Sequence, residues 1–295
     1  MARKIKNQKT AEQRRAEAEQ LHSTIAAQVE ELRDSEQWAQ FLDFMGSFHN
    51  YSVNNLLLIH AQCPGASRVA GFRTWQKLGR QVRKGEKGIR IFGGRDVTVT
   101  EEDEKTGEET ERRVTRFFPV SVFDMSQTDQ IEGMEGFESP AKRLKGDDQD
   151  DITGAVTDWL TAQGWTVDVE PIGGETNGFT DPEARRVVID ANLSPAQQAK
   201  TALHEAAHVI LHSEEDISEY IAHRGIKETE AESTAYVVAG ILGMDTSSYS
   251  IGYVAVWTSE DAAEVIRETA ARVLKAAHTL AEAITEDEPA EALAA

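Results

Sequence analysis

Five consecutive residues, His204-Glu205-Ala206-Ala207-His208, have the types and spacing for metal-assisted hydrolysis. Positions four apart on a helix share a face, so both imidazoles can present a nitrogen to one ion. Glu205, one step round from His204, is the expected general base, taking a proton from a water that the ion acidifies as that water attacks a carbonyl. Zinc is the expected cofactor; manganese or iron also suits a site of two imidazoles and one carboxylate.

A third protein ligand is needed if one position is to stay open for water or substrate. Glu228-Thr229-Glu230-Ala231-Glu232 offers candidates. On a helix Glu228 and Glu232 share a face and Glu230 points elsewhere. Glu228 is therefore expected as the third ligand, and Glu232 as the acceptor that orients a histidine. Glu230 is the fallback ligand, and the small Ala231 would let the two helices approach closely. His212, His223, Tyr220 and Tyr236 are read as structural, and His22, His49, His60 and His278 are given no role.

These residues need helices to hold them. Ser194-Pro195-Ala196-Gln197 is a good helix start, with Ser as N-cap, Pro at the first helical position and Gln at the reciprocal capping-box position. Its helix runs through residues 204–208. Further helices are expected over about 152–163, 227–242 and 261–284, strands at 165–169 and 186–189, and a turn at Thr180-Asp181-Pro182. Upstream, apolar residues at near-helical spacing run from 21 to 42 and are continued by Trp38, Phe41 and Met45. Helices over 52–62, stopped by Pro64-Gly65, and over 73–78, ended at Gly79, come next. The pattern then turns extended at 89–92, 97–100 and 113–123, with acidic residues 101–111 as an exposed hairpin loop.

The 295 residues leave room for about two domains. No apolar run approaches the roughly 20 residues of a membrane span, and the N-terminus lacks the apolar stretch of a signal peptide. A single cysteine, Cys63, excludes an internal disulfide and a Cys-rich metal site. A cytoplasmic protein is expected.

The net charge of −20 argues against binding phosphates, yet it is unevenly spread. From Gly46 to Arg95 nine cations (Arg68, Arg73, Lys77, Arg80, Arg83, Lys84, Lys87, Arg90, Arg95) face one acid, Glu86, a local net of +8. Gly79 and Gly85 have the wrong spacing for a P-loop, but glycines among cations let backbone amides approach phosphates. The neighbouring Phe48, Tyr51, Phe72 and Trp75 suit stacking on unpaired bases.

The strings Phe48-His49-Asn50-Tyr51-Ser52, Gln62-Cys63-Pro64, Val69-Ala70-Gly71, Lys84-Gly85-Glu86-Lys87-Gly88-Ile89 and Pro119-Val120-Ser121-Val122-Phe123-Asp124-Met125-Ser126-Gln127, with Asn54-Asn55, Trp75 and Gly79-Arg80, resemble the N-terminal domain of ArdC-type antirestriction proteins over about residues 20–130. The second half is similar to the zincin-like peptidase domain paired with it, and to ImmA/IrrE-type peptidases. In such zincins a glutamate followed four residues later by an acid or amide is the third ligand, which favours Glu228. The resemblance implies binding of single-stranded DNA by the first domain and carriage on phages or conjugative elements. The acidity of the second half departs from that pattern.

The expected fold is α+β: a mixed helix and antiparallel-sheet domain, then a mainly helical zincin-like domain with a small sheet. Residues 1–20 are expected as a polar leader, 21–137 as the DNA-binding domain, 138–151 as a linker and 152–295 as the metallopeptidase domain. The site residues are His204, His208 and Glu228 on zinc, Glu205 as base and Glu232 behind a ligand, in a gluzincin-like arrangement. Tyr51, Asn55, Arg73, Trp75, Lys77, Arg80, Arg83, Lys84 and Lys87 are expected to bind DNA. The function expected is antirestriction by a phage or mobile element, with single-stranded DNA, a peptide substrate and a host restriction or defence protein as partners and no membrane. The alternatives are a regulatory metallopeptidase that cleaves a repressor or defence protein, and a non-catalytic DNA binder with structural zinc.

Overall fold

A capping residue interrupts the helical periodicity of residues 21–45. Asp34 Oδ1 accepts hydrogen bonds from Glu36 N (2.9 Å) and Gln37 N (3.2 Å), satisfying N–H groups that a new helix leaves unpaired. The expected single face is thus two helices, α1 (Ala11–Glu31) and α2 (Ser35–Gly46). The computed structural model describes residues 10–48, 51–102, 109–132, 151–174, 176–214, 223–244 and 262–285. The expected linker falls almost wholly outside them, as do residues 103–108 of the acidic loop.

Two compact units result: residues 1–28 with 54–137 and 292–295, and residues 29–53 with 138–291. The first contains α3 (Val53–Gln62), β1 (Val69–Gly71), α4 (Phe72–Lys77), β2 (Arg80–Val82), β3 (Ile89–Glu102), β4 (Glu109–Asp124) and β5 (Thr128–Gln130). Strands order β1-β4-β3 in an antiparallel sheet, and β2 pairs with β5. The two short strands expected at 89–92 and 97–100 are one strand, paired with β4 from Ile89↔Val122 to Glu102↔Glu109.

An unpaired strand edge is exposed backbone seeking a partner, and on β3 two side-chain amides of α3 supply one. Asn55 Nδ2 donates to Phe92 O and its Oδ1 accepts from Phe92 N, both at 2.9 Å. Gln62, two turns on, does the same with Arg90 O and N at 2.8 Å. Asp124 anchors the other end: its carboxylate accepts from Ser67 N (2.8 Å), Arg68 N (3.0 Å) and Ser126 N (2.8 Å). Trp75 packs in a small core with Ala70 and Val82, its indole N–H donating to Phe123 O at 2.8 Å.

In the second unit α5 (Ile152–Ala162) precedes a sheet of order β6-β8-β7, from β6 (Thr166–Glu170), β7 (Gly178–Asp181) and β8 (Arg186–Asp190). β6 runs parallel and β7 antiparallel to the buried central β8. After β8, Ser194 Oγ accepts from Gln197 N and Pro195 opens α6 (Pro195–His212), as the sequence predicts. α6 packs with α7 (Arg224–Ile241) and α8 (Ala262–Ile284). Fully buried alanines on both α6 (Ala199, Ala202, Ala206) and α7 (Ala231, Ala235, Ala239) permit the close approach. α2 joins this unit rather than the first: Trp38 Nε1 donates to Ser233 Oγ (3.1 Å) and Tyr236 OH to Asp43 Oδ1 (2.7 Å).

Candidate metal centre

Helical spacing turns His204 and His208 of α6 to one face, towards Glu228 on α7. Their Nε2 atoms are 3.1 Å apart, and Glu228 Oε2 lies 3.6 Å from the first and 3.7 Å from the second. One ligand atom from each residue thus falls within 4.8 Å of the others. Donors sharing a tetrahedral ion at about 2.1 Å stand about 3.4 Å apart, so the set fits a metal of the zinc type. Two imidazole nitrogens 3.1 Å apart cannot meet lone pair to lone pair, so a proton or a cation must lie between them. Burial works against a charged His204, but the facing Glu228 carboxylate, the hydrogen bond to Glu232 and the charge of Glu205 outweigh it and hold the imidazole up at about 9. The two facing imidazoles, His204 and His208, in turn hold Glu228 well below the usual carboxylate range.

Each of the two imidazoles is also held from behind. His204 Nδ1 lies 3.1 Å from Glu232 Oε2, whose other oxygen pairs with Lys200 Nζ at 3.1 Å. Burial opposes the Glu232 carboxylate, yet these two partners bring its pKa below the usual value. His208 Nδ1 lies 3.1 Å from His212 Nδ1, and His212 Nε2 lies 2.9 Å from Glu230 Oε2. Glu230 Oε1 pairs with Arg272 Nε at 3.1 Å. Glu230, the fallback ligand, is therefore turned away from the cluster and buried against α6 and α8. Burial pushes His212 down, towards the neutral form.

Glu205 sits one residue from His204 and is itself buried, which raises its pKa. Thr180 Oγ1 donates to its Oε2 at 2.7 Å. Thr180 is in β7, where the sequence suggests a turn. The strand comes close because residue 178 is glycine: a Cβ there would stand 2.6 Å from Thr201 Cγ2 and 2.8 Å from Val188 O. Sequence reasoning missed Thr180, Lys200 and Arg272, for which no local signal exists. His212 did carry one, a second i+4 step from His208 on the same face. Tyr220 lies outside the described residues.

Residues 15–123 match the family model of the N-terminal domain of the anti-restriction factor ArdC, and residues 162–248 match that of the IrrE N-terminal-like domain, a peptidase family. The chain pairs an ArdC-type domain with an IrrE-like one. The second domain accordingly has a metallopeptidase-like fold. An uncharacterized protein of Bacillus anthracis is 28% identical over 85% of this chain, which spans about half (48%) of that relative's length. The metal-free crystal structure of antirestriction protein ArdC from plasmid R388 has the same fold, with a TM-score of 0.51 and 24% identity over 79% of this chain and 85% of that one. A Mn(II)-bound structure of that protein aligns with a TM-score of 0.48 and 21% identity, over 81% and 90%.

Within the ArdC-type region the residues expected to meet DNA separate into two groups. Arg73, Lys77, Lys84 and Lys87 are exposed. The others are engaged within the fold, Arg83 through ion pairs at an exposed position. Trp75 is fully buried, as is most of Phe48, so neither ring offers a face to a base; an aromatic among cations is here a core residue. Asn55 spends both ends of its amide on the β3 edge. Arg80 donates to Thr128 Oγ1 (2.7 Å) and Thr128 O (3.1 Å), and Arg83 to Glu86 (3.0 Å) and Asp129 (3.3 Å). Tyr51 packs edge-on against Phe48, and burial pushes its phenol up to about 12. Phe72, at 43% exposure, does present a ring to solvent.

Proposed function

We propose that the IrrE-like unit is a metal-dependent peptidase and that the ArdC-type domain binds single-stranded DNA, together serving an antirestriction role for a phage or mobile element in the cytoplasm. The observation that carries the peptidase half is the convergence of His204 Nε2, His208 Nε2 and Glu228 Oε2, with Glu205 alongside. These three residues would hold the ion, zinc by donor type. When bound, it acidifies a water and polarises a peptide carbonyl.

The chain's own residues manage the proton. Thr180 holds the Glu205 carboxylate through Oε2, and that carboxylate accepts a proton and returns it to the leaving amine. Burial raises the pKa of Glu205, which makes the carboxylate a stronger base than a solvated one. Glu232, backed by Lys200, orients His204 through Nδ1.

Metal analysis of the wild type beside His204→Ala and Glu228→Ala tests the site. About one zinc per chain is expected, lost in both variants. A metal-free wild type overturns the peptidase reading. Peptide-library cleavage, lost in Glu205→Gln with metal retained, tests turnover and identifies the substrate. The DNA half is supported by the ArdC-type match and the run of cations, and gel-shift titration with single- and double-stranded oligonucleotides tests it. Failure to prefer the single strand would remove it.

A further inference from the structure

Four side chains from three helices form one line behind the cluster: His208 on α6, His212 one turn on, Glu230 on α7 and Arg272 on α8. We propose that His212, held by Glu230 and Arg272, is a positioning residue that selects the metal-binding tautomer of His208; the proposal rests on the metal-site reading above.

Hydrogen-bond logic carries it. Arg272 has only donors, and so pairs with Glu230 as a carboxylate, which has only acceptors. Glu230 Oε2, 2.9 Å from His212 Nε2, therefore requires the His212 proton on Nε2. A neutral imidazole has one N–H, so His212 Nδ1 is left with a lone pair. That lone pair faces His208 Nδ1 at 3.1 Å and requires the His208 proton to sit on Nδ1. His208 Nε2 then has its lone pair directed at the cluster, the form a metal needs. The opposite tautomer would set two lone pairs against each other between His208 and His212, in a place where both rings are nearly inaccessible to water (7% and 5% exposed).

The two ligands are thus supported unequally. His204 is backed directly by a carboxylate, whereas a histidine stands between His208 and its carboxylate. The inserted imidazole transmits the orientation of Glu230 without placing a negative charge against the ligand. A glutamine at 212 would reproduce it, with an acceptor oxygen for His208 and a donor nitrogen for Glu230; a leucine would not.

The test uses the full chain with zinc affinity measured by chelator competition for the wild type, His212→Leu and His212→Gln, alongside imidazole ¹⁵N NMR of the metal-free wild type. Affinity is expected to fall about 10- to 100-fold in His212→Leu and to stay near wild type in His212→Gln. In the NMR spectrum His208 should carry its proton on Nδ1. Equal affinity in His212→Leu, or a His208 protonated on Nε2 alone, overturns the proposal. Should His212→Leu fail to fold, His212→Gln and the wild-type spectrum still decide it. A wild type that takes up no zinc removes the metal reading, while the spectrum continues to report on the relay.

Discussion

Trp38 Nε1 donates to Ser233 Oγ at 3.1 Å, across 195 positions of sequence, and ties α2 to the helix that carries Glu228. Residue 38 lies inside the stretch that matches the ArdC N-terminal domain, yet it is part of the core of the peptidase-like unit. Truncating this fully buried indole to alanine should cost about 3 to 5 kcal/mol, read as a fall in the denaturation midpoint. Tyr236→Phe, which removes only the hydroxyl bonded to Asp43, should cost about 1 kcal/mol. An unchanged midpoint in Trp38→Ala would mean that α2 is not integral to this unit.

The contact between Thr180 and Glu205 predicts a second effect. Thr180→Val keeps the shape and removes the donor from Glu205 Oε2, so the Glu205 pKa should rise further, burial already having raised it. Because the base must be ionised to accept a proton, the acid limb of a peptidase pH profile should move to higher pH in the variant. Glu205→Gln should lower turnover about 10²- to 10⁴-fold without loss of metal. A Thr180→Val profile that superimposes on wild type would dissociate the strand from the chemistry.

Metal uptake itself should depend on pH. In the metal-free protein His204 is held up at about 9, and the proton it carries must leave before an ion binds. Zinc affinity should therefore rise about tenfold per pH unit from neutrality until about pH 9 and level off above it. The apoprotein has the opposite preference: a raised folded pKa gives stability that is present in full below the unfolded value and lost as the pH rises through about 9. Isothermal titration in buffers of different ionisation enthalpy would count the released proton, and a count of zero would contradict the assignment.

What the sequence revealed of this centre was what a single helix encodes. Ser194 and Pro195 mark a start, and the spacing of His204, His208, Glu228 and Glu232 needs only the helical period to be read. Thr180 was hidden because its strand is four residues long and includes a glycine chosen for absence of a side chain. Arg272 was hidden because nothing local links it to residue 230. In the ArdC-type domain, Trp75 and Asn55 misled for one reason: a buried indole or an amide paired to a strand edge has the same composition as a binding surface. Only packing tells them apart. No helix among the described residues is long and apolar enough to cross a membrane, in keeping with the hydropathy.

Asp124 provides a prediction for the first unit. Burial raises its pKa, but hydrogen bonds from Ser126, Arg68 and Ser67 outweigh this and bring it below the ordinary value. The stability it contributes is therefore complete above the unfolded pKa of about 3.9 and lost as the pH falls through the folded value. Asp124→Asn should lower stability at neutral pH, by about 2 kcal/mol, and should flatten the acid dependence between about pH 5 and 2. Equal acid sensitivity in the two proteins would show that another carboxylate governs that limb.

Cations free to meet a DNA strand should respond to substitution differently from cations that serve the fold. Lys84 and Lys87 flank the Gly85 turn and are exposed, so replacing both with glutamine should leave thermal stability unchanged. Each phosphate contact they would make should contribute about 0.7 to the slope of log affinity against log salt for a single strand. The double variant should therefore bind more weakly at low salt and show a shallower salt dependence, by up to about 1.4. Arg80 is different in kind: its guanidinium holds the buried Thr128 through two hydrogen bonds that join β2 to β5. Arg80→Gln should lower the melting temperature, and any fall in DNA affinity should accompany that loss. Phe72→Ala, with its partly exposed ring, should weaken binding by about 1 to 3 kcal/mol if a base stacks there, whereas Trp75→Ala should unfold the domain. If Lys84 and Lys87 prove neutral in both affinity and salt slope, the strand crosses another face, and Arg73 and Lys77 are the next pair to replace.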